Sequence, residues 1–90
     1  MTTTRIMRIR NEKGLHARAS ARFVEVVEAH DADAFVARDG MKVSGDSIMG
    51  LLMLAASCGT TIEVTTTGRE ADALADALEA LVADCFGEGG

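Results

Sequence analysis

His16 is the side chain of this sequence best suited to nucleophilic chemistry. It lies in segment 14–20, Gly-Leu-His-Ala-Arg-Ala-Ser, where a loop gives way to a helical pattern. An imidazole nitrogen is a nucleophile near neutral pH, and the N–H groups of a helix N-terminus bind anions. His16 is therefore a candidate phosphoryl acceptor, with Arg18 placed to pair the phosphoryl oxygens. The alternative is that His16 is an exposed residue that serves only as a weak helix cap.

Ser47 is a second candidate site. It precedes an apolar run that begins at Ile48, and a serine in that place is typical of a helix N-cap. The helix dipole would also accommodate a phosphate there, so a regulatory kinase could modify Ser47. His30 lies at the C-terminal end of the helical pattern that begins at Ala17. A histidine there interacts favourably with the helix dipole, so we expect His30 to be structural.

The remaining residue types indicate no self-contained hydrolytic or redox catalysis. The two cysteines and two histidines lack the spacing of a metal-binding set, so we expect no metal. The sequence has no GxGxxG or Walker loop, and we expect no bound cofactor. Cys58 and Cys85 form no CxxC motif and are expected to be free thiols, as in a reducing cytoplasm.

Length and charge narrow the class of protein. The chain has 90 residues, of which 48% are hydrophobic, and a formal net charge of −5. This length predicts a single domain over residues 1–90, and the negative charge argues against a nucleic-acid partner. Residues 1–22 hold six of the nine basic residues and one acidic residue. That distribution favours an anionic ligand or partner near this segment, with ordinary solvation of a strand and a helix as the alternative.

No segment indicates a membrane span or an export signal. The longest apolar run, Ile48–Ala56, is interrupted by Gly50 and is too short to cross a bilayer. The N-terminus lacks the apolar stretch of a signal peptide. We therefore expect a cytoplasmic protein without membrane insertion.

The hydrophobic pattern predicts the elements that must position these residues. Alternation predicts strands, and apolar stripes at three- and four-residue spacing predict helices, in the order β-α-β-β-α-β-α. Such elements pack as an α+β fold of two layers, with helices on one face of an antiparallel sheet. The predicted strands are 4–10, 34–38, 41–44 and 60–66, and the helices are 17–29, two turns from 48, and 71–85.

Two connections carry specific turn signals. Asp39-Gly40 between two short strands predicts a type I′ hairpin, which needs positive φ at both central residues. Thr67 and Glu70 match a capping box, with Thr67 as the N-cap of the last helix.

The short helix after Ser47 is apolar on nearly all sides, so its side chains cannot all face inward. Exposed methionine and leucine beside a candidate site favour a docking surface for several partners. The alternative is that Leu51 and Leu54 belong to the core and the rest is scattered surface apolarity. The run contains Ile48, Met49, Leu51, Leu52 and Met53.

Two segments resemble a known family. Segment 11–21, NEKGLHARASA, resembles the active-site motif Gly-[Leu/Ile]-His-x-Arg-Pro-Ala of the HPr family, the phosphocarrier proteins of the phosphoenolpyruvate-dependent phosphotransferase system. Segment 46–51, DSIMGL, is similar to the regulatory serine segment of that family. The spacing of the two motifs, the chain length and the element order also match, so the resemblance covers residues 4–86.

The resemblance implies a mechanism and a fold. His16 would accept a phosphoryl group on Nδ1 from phosphorylated enzyme I and pass it to an EIIA-type protein. Arg18 and the backbone N–H groups of Ala17 and Arg18 would stabilise the phosphohistidine, and an HPr kinase/phosphorylase would act on Ser47. The implied fold is an open-faced β-sandwich with strand order 1-4-2-3 and three helices on one face. The implied docking residues are Ala17, Ala21, Ile48, Met49 and Leu52.

One position departs from the family motif. Ala19 stands where the family usually has proline, and this form resembles proteobacterial carriers, including the nitrogen-related NPr branch. An alternative function is therefore a regulatory binding protein whose phosphorylation state selects its partners. A third is a small ligand-binding domain in which His16 is only a cap. We expect a monomer, because transient docking needs a free surface.

Overall fold

The computed structural model describes residues 1–88. Its elements follow the order β-α-β-β-α-β-α, which confirms the predicted order. The strands are β1 (Thr2–Arg8), β2 (Asp33–Arg38), β3 (Met41–Ser44) and β4 (Thr61–Thr67). The helices are α1 (Ala17–Glu28), α2 (Ile48–Met53) and α3 (Ala71–Ala83), followed by a 3₁₀ helix, Cys85–Gly87.

The four strands form one antiparallel sheet in the order β1-β4-β2-β3. Val64 in the middle of β4 is opposite Arg5 of β1 on one side and Val36 of β2 on the other. β2 and β3 pair as a hairpin at the edge. The implied strand order 1-4-2-3 is confirmed.

One face of the sheet carries the core. Side chains alternate between the two faces of a strand, so Met7, Val36 and Val64 point to the same side, where each is at most 3% exposed. All three helices cover that side and contribute fully buried side chains, among them Phe23, Leu51, Leu74 and Leu78. The predicted two-layer α+β fold is therefore confirmed.

The opposite face of the sheet is exposed and rich in threonine. The hydroxyl groups of Thr2 and Thr67 lie 3.3 Å apart across the β1–β4 ladder, and those of Thr4 and Thr65 lie 3.1 Å apart. Polar cross-strand pairs of this kind suit a solvated sheet face.

The hairpin prediction is confirmed. Asp39 and Gly40 connect β2 to β3 with φ values of 50° and 81°, and Arg38 pairs with Met41 across the turn. Positive φ at both central residues is the geometry of a type I′ turn.

The predicted capping box before α3 is wrong. Thr67 is the last residue of β4, where it is paired with both neighbouring strands, and Gly68 then turns the chain with a φ of 124°. Glu70 is the N-cap residue of α3 and makes no side-chain cap of its own. Its carboxylate instead accepts a hydrogen bond from the N–H of Asp31 at 2.6 Å.

Most predicted elements differ from the observed ones by one or two residues at an end. β1 ends at Arg8, although the next residue, Ile9, still exchanges backbone hydrogen bonds of 2.8 Å with Gly59 and Thr60. α3 ends at Ala83, and the residues of the 3₁₀ helix that follows, Cys85–Gly87, all have positive φ. Among residues 1–88 no helix has the length and apolar character that crossing a membrane requires.

Candidate functional site

His16 is the N-cap residue of α1, and its ring faces the first turn of that helix. Its backbone is extended, with φ −80° and ψ −176°, and its carbonyl accepts a hydrogen bond from Ser20 N–H at 2.8 Å. The ring Nδ1 accepts a hydrogen bond from Arg18 N–H at 3.3 Å. The imidazole thus lies where helix N–H groups lack helical partners, which is a place that stabilises anions.

The loop before His16 is anchored on the segment that follows α2. Gly14 has a φ of 67°, and a Cβ atom on it would lie 2.5 Å from the carbonyl oxygen of Ala56. The N–H of Leu15 donates to that same oxygen at 2.9 Å, and the Leu15 side chain is buried. Only glycine fits this close approach without a shift of the backbone.

Glu88 also belongs to the site, and sequence reasoning missed it. Its Oε2 contacts Nε2 of His16, while its Oε1 accepts a hydrogen bond from Nδ2 of the fully buried Asn11 at 3.0 Å. The hydrogen bond from Asn11 lowers the pKa of the Glu88 carboxyl. The contact between Glu88 and His16 and the charge of Lys13 lower that pKa further. Partial burial of the carboxyl opposes these effects and raises that pKa.

A left-handed turn brings Glu88 to the site from the end of α3. Cys85, Phe86 and Gly87 have φ values of 55°, 54° and 78°. The Phe86 side chain is fully buried in the core, and a guanidinium N–H of Arg22 donates to the Phe86 carbonyl at 2.5 Å. Nothing in the sequence pattern indicated this turn, since neither Cys nor Phe favours positive φ.

The rim of the cleft around His16 is positively charged. Lys13, Arg18 and Arg22 line it together with the exposed Ala17, and these three cations outnumber the two carboxylates of the same cleft, Glu12 and Glu88. Within residues 1–88 no ion pair engages Arg18, so its guanidinium is available to an anion bound at His16. This arrangement suits recognition of a phosphoryl group, because charge-assisted hydrogen bonds from arginine are strong.

Ser47 is the N-cap residue of α2, as predicted. Its Oγ accepts a hydrogen bond from Gly50 N–H at 3.0 Å, and its side chain is half-buried. Modification of Ser47 by a kinase stays a prediction.

The short helix α2 presents apolar side chains to solvent. Ile48, Met49 and Met53 are 40%, 69% and 64% exposed, and Leu52 is half-buried. Leu51 is fully buried. The run is therefore divided between a core side, which holds Leu51 and Leu54, and an exposed side, whose role as a docking surface stays a prediction.

The predicted docking residues of α1 differ in accessibility. Ala17 is exposed and Ala21 is half-buried, and α1 packs against α2. Met53 belongs to the same exposed apolar surface but was absent from the set that the resemblance implied.

The other singled-out residues lie outside the cleft. The Nδ1–H of His30 donates to the Val26 carbonyl at 2.7 Å. This bond joins a residue just after α1 to the last turn of that helix, which agrees with a structural role for His30. Cys58 and Cys85 are free thiols, as expected. Across residues 1–88, no group of three or more His, Cys, Asp or Glu side chains is arranged to hold a metal ion.

Comparison with known proteins identifies the family. The family model described as "PTS HPr component phosphorylation site" matches residues 3–84. The phosphocarrier protein HPr of Cupriavidus necator is 43% identical over 79 residues, which cover 88% of this chain and 89% of that protein. The phosphocarrier protein NPr of Shewanella violacea is 40% identical over 78 residues, covering 87% of this chain and 86% of that protein.

The fold comparison agrees with the sequence comparison. The crystal structure of HPr-C-His from Thermoanaerobacter tengcongensis superposes with a TM-score of 0.91 at 32% sequence identity. It covers 96% of this chain and 97% of that one. The chain therefore belongs to the HPr family, the phosphocarrier proteins of the phosphotransferase system.

Proposed function

We propose that Nδ1 of His16 accepts a phosphoryl group from phosphorylated enzyme I and passes it to an EIIA-type protein. The position of His16 carries this proposal. Its ring is the N-cap of α1, and Nδ1 lies at a backbone N–H of the first turn. A phosphoryl group bonded to Nδ1 would meet the helix N-terminus and its partial positive charge at once.

The transfer balances without a cofactor on this chain. The Nδ1 lone pair forms a bond to phosphorus while the bond from phosphorus to the donor's nitrogen breaks, and its electron pair returns to the donor. The proton on Nε2 stays in place, so the ring gains positive charge as the phosphoryl group arrives. Passage to the acceptor reverses these steps with the acceptor's nucleophile. His16 is the covalent nucleophile of this transfer, and the rest of the site contributes by positioning and charge stabilisation.

Arg18 and the first-turn N–H groups supply that stabilisation. The Arg18 N–H that donates to Nδ1 at 3.3 Å is placed to donate to a phosphoryl oxygen once Nδ1 is occupied. The N–H of Ala17 lies in the same turn, where helical partners are lacking. The exposed guanidinium of Arg18 adds a full positive charge.

The apolar side of α2 and the start of α1 form the proposed docking surface. It consists of Ala17, Ala21, Ile48, Met49 and Leu52, and we add Met53, which is 64% exposed. Flexible methionine side chains adapt to differently shaped partners, which suits a carrier that must contact a donor and an acceptor in turn. Single-domain organisation over residues 1–90, a monomeric state and a cytoplasmic location stay predictions that fit this transient docking.

The test is phosphorylation by enzyme I. The chain is incubated with phosphoenolpyruvate, Mg²⁺ and enzyme I, and intact mass is measured before and after acid treatment. We expect one acid-labile phosphoryl group on the unaltered chain and on His30→Ala, and none on His16→Ala. An acid-labile phosphate on His16→Ala, or none on the unaltered chain, would contradict the proposal. The second result would favour the small ligand-binding domain.

Phosphorylation of Ser47 by an HPr kinase/phosphorylase is a proposed means of control. A phosphate on Ser47 would add negative charge at the edge of the apolar docking surface, where desolvation of that charge opposes partner binding. We expect Ser47→Asp to slow phosphoryl transfer and Ser47→Ala to leave it near the native rate. Equal rates for both variants and the native chain would exclude this control.

The alternative function is a regulatory binding protein of the nitrogen-related branch. Ala19 in place of the family's proline favours it, while the identities do not separate the branches, at 40% to an NPr protein and 43% to HPr proteins. Pull-downs with the unmodified, Ser47-phosphorylated and His16-phosphorylated chain separate the two functions. Partner sets that change with phosphorylation state favour the regulatory protein, and identical sets exclude it.

A further inference from the structure

We propose that Glu88 is a positioning residue for His16, which holds the proton on Nε2 so that Nδ1 keeps the lone pair that attacks phosphorus. The inference rests on the proposed phosphocarrier function and adds to it a residue from the other end of the chain. The two residues lie 72 positions apart in the sequence, and the side-chain contact joins Glu88 Oε2 to His16 Nε2.

The two ring nitrogens have partners of opposite kind. At Nδ1 the neighbour is the Arg18 N–H, which can only donate, so Nδ1 must accept. At Nε2 the neighbour is a carboxylate, which as an anion can only accept, so Nε2 must carry the hydrogen. Both neighbours therefore select the same neutral tautomer, with the lone pair on Nδ1.

Glu88 is itself held in place by the interior. The Nδ2 group of Asn11 donates to Glu88 Oε1 at 3.0 Å and to the Gly14 carbonyl at 2.7 Å. Asn11 is fully buried, so its amide is a rigid support rather than a mobile surface group. The chain of contacts from Gly14 through Asn11 and Glu88 to His16 ties the carboxylate to the loop that positions the histidine.

The backbone that delivers Glu88 is strained. Cys85 and Phe86 both adopt positive φ, a backbone conformation that is unfavourable for residues other than glycine. Burial of the Phe86 ring and the hydrogen bond from Arg22 to the Phe86 carbonyl keep the turn closed. The strained turn directs the chain back to His16 instead of into solvent, and it thereby places the Glu88 carboxylate beside the His16 ring.

The same contact acts on the phosphorylated form. When phosphorus occupies Nδ1, the hydrogen on Nε2 leaves the ring positively charged, and the Glu88 carboxylate lies beside that charge. Departure of the phosphoryl group from a protonated ring releases neutral imidazole, a better leaving group than imidazolate. Glu88 should therefore assist both the acceptance and the release of the phosphoryl group. The other charged groups that line the cleft are the cations Lys13, Arg18 and Arg22 and the carboxylate of Glu12.

The direct test is the tautomer of His16 in the full chain, measured by ¹⁵N NMR above neutral pH. We expect the native chain to show Nε2 protonated and Nδ1 unprotonated, with essentially one tautomer present. Glu88→Gln can donate as well as accept, so it should shift His16 towards a mixture of tautomers, and Glu88→Ala should do the same. The matched control is Glu12→Gln, since Glu12 lines the same cleft without a hydrogen bond to His16.

Kinetics give a second readout. Glu88→Gln should lower kcat for phosphoryl transfer roughly tenfold with little change in KM, an effect as large as the loss of a hydrogen-bonded partner of a metal-ligating histidine. Unchanged tautomer populations in both Glu88 variants would overturn the inference, even if phosphorylation proceeds. Absence of phosphate on the native chain would instead overturn the proposed function, while the tautomer measurement still decides the role of Glu88.

Discussion

Arg18 is exposed, carries a full charge and has no ion-pair partner within residues 1–88. We expect Arg18→Ala to lower kcat/KM for phosphoryl transfer by about 10–100-fold, because one charge-assisted pair to phosphate contributes about 1.5–3 kcal/mol. Stability should change by less than about 0.5 kcal/mol, as at other exposed positions.

Two control variants separate charge from geometry at this position. Arg18→Lys keeps the charge but loses the planar fork of donors, so it should recover part of the loss. Arg38→Ala removes an arginine whose guanidinium instead donates to the Leu54 carbonyl at 3.0 Å, and it should leave transfer by His16 near the native rate. Native transfer rates in Arg18→Ala would contradict the role of its guanidinium.

The sequence identifies His16 and Arg18 because both lie in one continuous segment, where residue type and spacing are visible together. Glu88 has no such signal. Its contact with His16 depends on where α3 ends and on a turn of two non-glycine residues at positive φ. Local propensity argues against such a turn, and its strain is offset by tertiary contacts, among them the burial of Phe86 and the hydrogen bond from Arg22.

At the scale of elements, the approach of loop 11–15 to the segment after α2 decides where α1 begins. Gly14→Ala would place a methyl group 2.5 Å from the Ala56 carbonyl oxygen and 2.9 Å from Ser57 Cα, in addition to the strain of a φ of 67°. We expect it to destabilise the fold by about 2–4 kcal/mol and to displace His16. Urea unfolding gives the stability, and phosphoryl transfer reports the displacement of His16.

Gly40→Ala is the matched control for this prediction. Its φ of 81° is also positive, but nothing lies within 4 Å of the added Cβ. Gly40→Ala should lower the free energy of unfolding by only about 1–2 kcal/mol, which is the cost of positive φ for alanine. It should leave phosphoryl transfer unchanged. Equal losses of stability in the two variants would show that the contact with Ala56 does not constrain the loop.

Elements with a regular hydrophobic period are predictable from the sequence, and their ends are less so. The Asp39-Gly40 turn is identified by its residues because the turn type itself demands positive φ twice. The capping-box prediction is wrong because Thr67 matches the local motif but pairs with strands on both sides of β4. The two strand pairings stabilise Thr67 in the sheet more than one helix cap would stabilise it at α3. Tertiary pairing of this kind is invisible to a four-residue motif.

At the scale of the whole molecule, the charge pattern of the sequence acquires a spatial meaning. Arg5 lies on the helix side of β1, where its guanidinium pairs with Asp76 at 2.6 Å and Glu79 at 3.1 Å. These two carboxylates of α3 raise the pKa of Arg5, with the hydrogen bond to Asp76 as the largest cause. Arg5 therefore contributes little to the field outside the protein. The cations that face solvent at the site are those of its rim, Lys13, Arg18 and Arg22.

This rim should steer an anionic phosphoryl donor towards His16 although the chain as a whole carries a net charge of −5. We expect the second-order rate of transfer from phosphorylated enzyme I to fall several-fold as salt rises, because the Debye length is only about 10 Å at 0.1 M. Lys13→Gln should lower the low-salt rate and flatten its salt dependence. Lys42→Gln is the matched control, since it removes the same charge from the sheet face opposite the helices. The Lys42 ammonium lies 5.4 Å from the centre of the Phe35 ring. This variant should keep the native low-salt rate and the native salt dependence. A salt-independent rate in the native chain, or equal losses in the two variants, would show that the rim does not guide the approach.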